Sequence, residues 1–140
     1  MPIQPVLVDT SVWIDPLRGR QNAAASELAG WLHDDPDRIL VNEIVLTELL
    51  RGVSSEADST QLQAALDKLL QADPMERSDW LLSARIYRSC RAAGLTIRSP
   101  MDCLIAAHAI RLKVPVLVID RGFDAIASCT PLRLHTQQAQ

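Results

Sequence analysis

Two apolar, largely β-branched runs end in an aspartate: Val6-Leu7-Val8 before Asp9, and Val114-Pro115-Val116-Leu117-Val118-Ile119 before Asp120. Neither alternates with polar residues, so both predict strands buried on two faces. A third candidate strand, Arg38-Ile39-Leu40-Val41, runs straight into the following helix. Helical spacing predicts segments at Val12 to about Leu17, Asn22 to His33, Asn42 to Arg51, a stretch within Glu56 to Gln71, Ser78 to Ala93, and Pro100 to Lys113. Strands alternating with helices predict an α/β fold with a mostly parallel central sheet.

The breaks in this pattern are local. Gly52-Val53-Ser54-Ser55, Asp73-Pro74 and Gly94 each end a helical segment, and no repeat is visible. At 140 residues the chain is expected to form a single domain over 1–140, with the Gln-rich Thr136 to Gln140 as a frayed tail.

Composition changes the picture mainly by exclusion. The chain is 48% hydrophobic and 22% charged, and no stretch approaches the ~20 apolar residues of a membrane span. The first residues lack the basic and apolar segments of a secretory signal, so the cytosol is the expected compartment. Cys90, Cys103 and Cys129, and likewise His33, His108 and His135, lack zinc-ligand or disulfide spacing and are read as packing or surface residues. A net charge of −3 argues against a broad basic surface.

Four acids carry the candidate chemistry: Asp9, Glu48, Asp102 and Asp120. Asp9 and Asp120 follow strands directly, and ligands of open parallel sheets bind beyond the carboxyl ends of the strands. Asp9 also reads as a helix cap with Thr10 and Ser11, and Asp120 as a turn residue before Arg121-Gly122. At about 100° per residue, Glu48 shares the helix face of Val41, Ile44, Val45 and Gly52, where an unpaired carboxylate is costly. It must meet a cation or emerge at a rim. Asp102 follows Ser99-Pro100-Met101 as in a capped first turn, yet lies on the small, apolar face of Ile105, Ala106 and Ala109. Clustered carboxylates repel unless a hard cation neutralises them. Mg²⁺ or Mn²⁺ with a few carboxylates can generate hydroxide for phosphodiester hydrolysis.

The motifs Asp9-Thr10-Ser11-Val12-Trp13-Ile14-Asp15, Leu46-Thr47-Glu48-Leu49-Leu50-Arg51-Gly52, Asp102-Cys103-Leu104-Ile105-Ala106-Ala107 and Asp120-Arg121-Gly122-Phe123 occur in that order. In order and spacing they resemble VapC-type PIN-domain toxins over nearly the whole chain. The resemblance implies an α/β/α sandwich, a magnesium-dependent endoribonuclease (Mn²⁺ substituting) acting on tRNA or ribosomal RNA, a homodimer, and a VapB-like antitoxin that blocks the site. It assigns the metal site to Asp9, Glu48, Asp102 and Asp120. Thr10 and Ser11 would orient Asp9.

The last motif departs from the pattern: Val118 stands where relatives often carry a hydroxyl and Gly122 where they carry a second acid, which predicts a weaker second-metal position. An anionic pocket needs cations to hold RNA. Arg51, Arg98 and Arg121 lie near motif acids, and Arg18 and Arg20 follow the first motif. Val12-Trp13-Ile14 beside the site predicts an exposed apolar patch for self-association and antitoxin docking. Two rivals remain at this point: a catalytically silent PIN module that binds RNA or protein, and an aspartate-based Mg-dependent receiver or phosphatase. The second lacks an acid pair after the first strand and a Lys after the last.

Overall fold

The computed structural model describes residues 4–17, 22–119 and 122–135. In chain order the elements are β1 (Val6–Val8), α1 (Thr10–Leu17), α2 (Ala23–Asp34), a 3-10 turn (Pro36–Arg38), β2 (Ile39–Val41), α3 (Glu43–Leu50), α4 (Glu56–Asp67), β3 (Leu70–Gln71), α5 (Arg77–Ala92), α6 (Pro100–Leu112), β4 (Val116–Leu117) and α7 (Gly122–Cys129). The strands form one sheet in the order β3-β2-β1-β4, and every pairing is parallel.

Side-chain alternation along these short strands divides the core into two layers. Val6, Val8, Ile39, Val41 and Leu117 point to one face, where Val12 of α1 and Ala24 and Leu28 of α2 cover them. Leu7, Leu40 and Val116 point to the other, against Ile86 and Cys90 of α5, the Cys103 to Ala109 face of α6, and Phe123 and Ile126 of α7. Burial on both faces is why these strands read as continuous apolar runs. The result is the expected α/β/α sandwich.

The helices begin where side chains can accept their orphan amides. Asn22 accepts from Ala25 N–H ahead of α2, Asn42 from Val45 N–H ahead of α3, and Ser55 from Asp58 N–H ahead of α4. No helix among the described residues is long and apolar enough to cross a membrane.

Three expectations change. β4 pairs only over Val116–Leu117 instead of Val114 to Ile119, since Pro115 has no amide to donate and β1 offers three residues. β3 is an edge of two exposed residues with no apolar run to announce it. The Val12-Trp13-Ile14 patch is less open than expected: Val12 is wholly buried, and Trp13 and Ile14 are half-buried with part of each packed against the core. The large apolar side chains that are exposed include Trp80 and Leu81 on α5 and Met101 on α6. The expected tail, Thr136 to Gln140, lies outside the described residues.

Candidate active site

The strand order β3-β2-β1-β4 means that the chain builds outward from β1 in both directions. The order therefore reverses between β1 and β4, and crevices at such switch points, beyond the carboxyl ends, are where open parallel sheets bind ligands. Asp9 stands at that point. Its N–H donates to Leu117 O of β4 at 2.9 Å, so the ladder holds its backbone up to the end of the strand.

The Asp9 side chain is nearly buried, at 6% exposure. Its Oδ2 accepts from Ser11 N–H at 3.1 Å and from Ser11 Oγ at 2.6 Å. Ser11 Oγ also lies 3.4 Å from the Ile119 amide, which follows β4. The carboxylate caps the first turn of α1 from the carboxyl end of β1, so the cap and a place at the switch point are compatible. Burial pushes the Asp9 carboxyl above its ordinary range; the Ser11 hydrogen bonds oppose this and the nearby Glu48 charge adds to it. Here a negative charge is unfavourable unless something positive joins it.

Glu48 is half-buried on α3, as its place in the apolar stripe requires. The Thr10 hydroxyl donates to Glu48 Oε1 at 2.8 Å, and Arg51 Nη2 lies 3.7 Å from Oε2, one turn along the helix. The hydroxyls next to Asp9 therefore divide their work: Ser11 holds Asp9, while Thr10 reaches across to Glu48.

Asp102 lies in the first turn of α6, half-buried, with its N–H donating to Ser99 O at 3.1 Å. Ser99 Oγ accepts from the Met101 amide. The adjoining Cys103 is buried, its thiol pushed up to about 11 by desolvation with smaller contributions from Cys90 and Asp102. It is a neutral packing group, not a thiolate nucleophile. A cleft of about 630 Å³ opens beside Glu48, and Ser99 and Met101 from the start of α6 line it together with Thr47 of α3 and Arg51, which caps the end of α3.

Asp9 and Glu48 are thus brought together through Thr10, and the start of α6 borders the Glu48 cleft, which neither Asp9 nor Asp102 lines. Among the described residues no set of three or more acids, histidines or cysteines converges closely enough to hold a metal ion. Asp120, Arg121, Arg18 and Arg20 lie outside the described residues. Arg51 is open to solvent beside Glu48, and Arg98 precedes the cap of α6. The donors that do meet are carboxylate oxygens, chemistry suited to a hard divalent cation.

Sequence reasoning missed the brace behind the site. His108 of α6 is wholly buried; its Nε2 donates to Asp73 O at 2.8 Å, so its Nδ1 accepts from Asn42 Nδ2 at 3.2 Å. Asn42 also caps α3 through Oδ1. One amide therefore links the helix of Glu48 to the helix of Asp102, across 66 residues of sequence with no local signal.

A three-layer α/β/α unit with carboxylates at the carboxyl end of its central strand and on the adjoining helix is the architecture of PIN domains. The PIN domain profile matches residues 6–128, and the chain belongs to this family. Within it the chain is of the VapC type. It is 36% identical over 128 residues to Ribonuclease VapC11 of Mycobacterium tuberculosis, covering 91% of this chain and 96% of that one. The fold is similar to VapBC-1 from nontypeable Haemophilus influenzae, with a TM-score of 0.70 at 19% identity over 94% of this chain and 97% of that one. It is similar also to VapBC2 from Rickettsia felis bound to a DNA fragment from their promoter, with a TM-score of 0.69 at 18% identity over 94% and 98%.

Proposed function

We propose that the protein is a magnesium-dependent endoribonuclease, the toxin of a toxin–antitoxin pair, acting in the cytoplasm on tRNA or ribosomal RNA and held in check by a VapB-like antitoxin. One observation carries this reading: a nearly buried Asp9 at the switch point, joined through Thr10 to Glu48. Membership of the VapC-type PIN domains and likeness to a protein named as a ribonuclease support it.

Asp9, Glu48 and Asp102, with Asp120 as the fourth acid, would hold the cation. When bound, Mg²⁺ supplies a water of lowered pKa and offsets charge on the departing 3′-oxygen of the phosphodiester. The chain's own residues prepare the place for it. Ser11 fixes the Asp9 carboxylate, Thr10 fixes Glu48, and the Asn42–His108 brace sets α3 against α6. Such outer partners set the direction in which ligand oxygens point. Arg51 offers a positive group beside Glu48 for a phosphate, and Arg18, Arg98 and Arg121 are further candidates. Neither a covalent nucleophile nor a thiolate is required.

Incubating the purified protein with total RNA in Mg²⁺, with and without chelator, and sequencing the new 5′ and 3′ ends tests this reading. Discrete new ends that vanish with chelator support it; intact RNA in Mg²⁺ overturns it. The second reading, a silent module that binds RNA or protein, draws on the altered last motif and on the lack of a three-ligand set among the described residues.

A further inference from the structure

Helix α5 has an outer face unlike the rest of this acidic chain. Of its 16 residues, Arg77, Arg85, Arg88 and Arg91 are exposed cations. Its one acid, Asp79, is buried against Arg111 and does not balance them. Interleaved with the arginines are two exposed aromatics, Trp80 at 53% and Tyr87 at 37% exposure. The Arg91 guanidinium lies 5.8 Å from the centre of the Tyr87 ring. Trp80 and Tyr87 are two helical turns apart on one face, about 10 Å along the axis, or about three stacked steps of a nucleic-acid strand.

This face leads to the Glu48 side of the candidate active site. Trp80 and Met101 line the cleft of about 630 Å³ that holds Glu48 and Arg51, and also a second cleft of about 460 Å³ lined by Tyr87 and Arg88. Trp80 therefore stands between the Glu48 cleft and the basic face. Exposed aromatics among arginines are how proteins hold unpaired nucleic acid, since stacking reads the face of a base and arginine neutralises the phosphates. A second copy of the chain fits less well, because a two-fold contact centred here would set arginine against arginine.

We propose that the outer face of α5 is a track for an unpaired stretch of the RNA substrate, with Trp80 stacking on a base beside the Glu48 cleft and Arg88 and Arg91 meeting phosphates. The proposal rests on the ribonuclease reading and assigns a binding role to residues outside all four motifs. Its test uses a labelled, unstructured ribo-oligonucleotide, with binding followed by fluorescence anisotropy in chelator so that no cleavage intervenes. Trp80→Ala weakens binding about 5- to 150-fold, and Trp80→Phe restores most of it. Arg88→Gln with Arg91→Gln lowers the slope of log affinity against log salt by about 0.7 for each phosphate that is no longer neutralised. Cleavage of total RNA in Mg²⁺ falls in the same order, while melting temperatures stay at the parent value because the altered side chains are exposed. If the parent cleaves RNA and these variants bind and cleave as it does, the track is wrong and the nuclease reading stands. If the parent neither binds nor cleaves RNA, both fall. If Trp80→Ala leaves RNA binding intact and instead dissociates an oligomer in sedimentation, the face is a contact between copies and the track is overturned.

Discussion

The Thr10 hydroxyl donates to Glu48 Oε1 at 2.8 Å, tying the residue after Asp9 to a helix 38 positions further along the chain. Asp9 and Glu48 are like charges, and like charges held close need a geometric restraint as well as a cation. Thr10 supplies the restraint without adding charge. Its exposure is 7%, so water competes weakly for the hydroxyl.

Thr10→Val keeps the shape and removes the donor. A hydrogen bond to a charged acceptor contributes about 1.5–3 kcal/mol, and loss of an outer partner of a metal ligand lowers metal affinity or activity about 10- to 100-fold. We expect RNA cleavage and Mg²⁺ affinity to fall together within that range, with kcat recovering in part at high Mg²⁺. Calorimetric titration of Mg²⁺ beside a cleavage assay checks this. Unchanged affinity with unchanged rate removes Thr10 from the site.

Asp9→Asn separates stability from function. The folded Asp9 carboxyl is pushed up, so between the unfolded value near 3.9 and the higher folded value the native state binds more protons than the unfolded chain. Stability from this group therefore falls as pH rises through that window, and at neutral pH its charge is a cost. Asn still accepts from Ser11 and caps about as well as Asp. Metal-free Asp9→Asn should melt at the parent temperature or above it, while cleavage drops by at least about 100-fold, the upper end for an outer-shell loss. A lower metal-free melting temperature together with retained cleavage contradicts both halves.

Much of this arrangement was legible in the chain because its causes are local. Val6-Leu7-Val8 and Ile39-Leu40-Val41 are apolar throughout since both their faces are covered, and Asn22 and Asn42 stand ahead of the helices they cap. Position at a strand end and in an apolar stripe singled out Asp9 and Glu48. What stayed hidden depends on distant partners. The two-residue β3 exists only because β2 offers an edge, and α7 is eight residues long with Phe123 and Ile126 as its buried anchors. Trp13 reads as a surface aromatic beside the site, yet it is half-buried, with part of its ring packed on the core. Trp80 lies in no motif and borders the Glu48 cleft only through the packing of α5 on α6.

Lys113 ends α6 in the left-handed region, at φ 59° and ψ 42°. Its carbonyl accepts from Gln4 Nε2 and Arg133 Nη2, so the main chain has little freedom to relax. A residue with a Cβ pays about 1–2 kcal/mol for this conformation, and glycine returns about 0.5–1 kcal/mol of that as unfolded-state entropy. Lys113→Gly should therefore stabilise by up to about 1 kcal/mol, raising Tm by about 2–4 °C for a chain of this size. Its side chain is exposed, so little packing is lost with it. Scanning calorimetry decides, and a lowered Tm refutes the expected sign.

The acid limb of stability should belong to Asp79. This carboxylate is 1% exposed, with Oδ1 accepting from Arg111 Nε at 2.8 Å and Oδ2 from Arg111 Nη2 at 3.0 Å and from the Glu76 amide at 2.8 Å. Burial alone would raise its pKa, but the Arg111 bonds, the Glu76 amide and the Arg111 charge outweigh it and hold the carboxyl below the ordinary range. The unfolded chain then binds the proton more readily, so stability from this group is complete above the unfolded value near 3.9 and is lost as pH falls through the lower folded value. Removing one partner of a buried ion pair typically costs about 3–5 kcal/mol, because the other charge is left without compensation. We expect Arg111→Met, which strands the buried Asp79 carboxylate, to destabilise by that order at pH 7, and Asp79→Asn to destabilise by less, because Arg111 is partly exposed and keeps Pro74 O and Glu76 as partners. In Asp79→Asn the group that titrates is gone, so the gap to the parent should narrow as pH is lowered below 4, a threshold set by the same linkage. Urea unfolding of the parent and both variants at neutral pH and at pH 3 reads this directly. A gap of constant size across that range would mean that Asp79 is held by packing and not by its charge on Arg111.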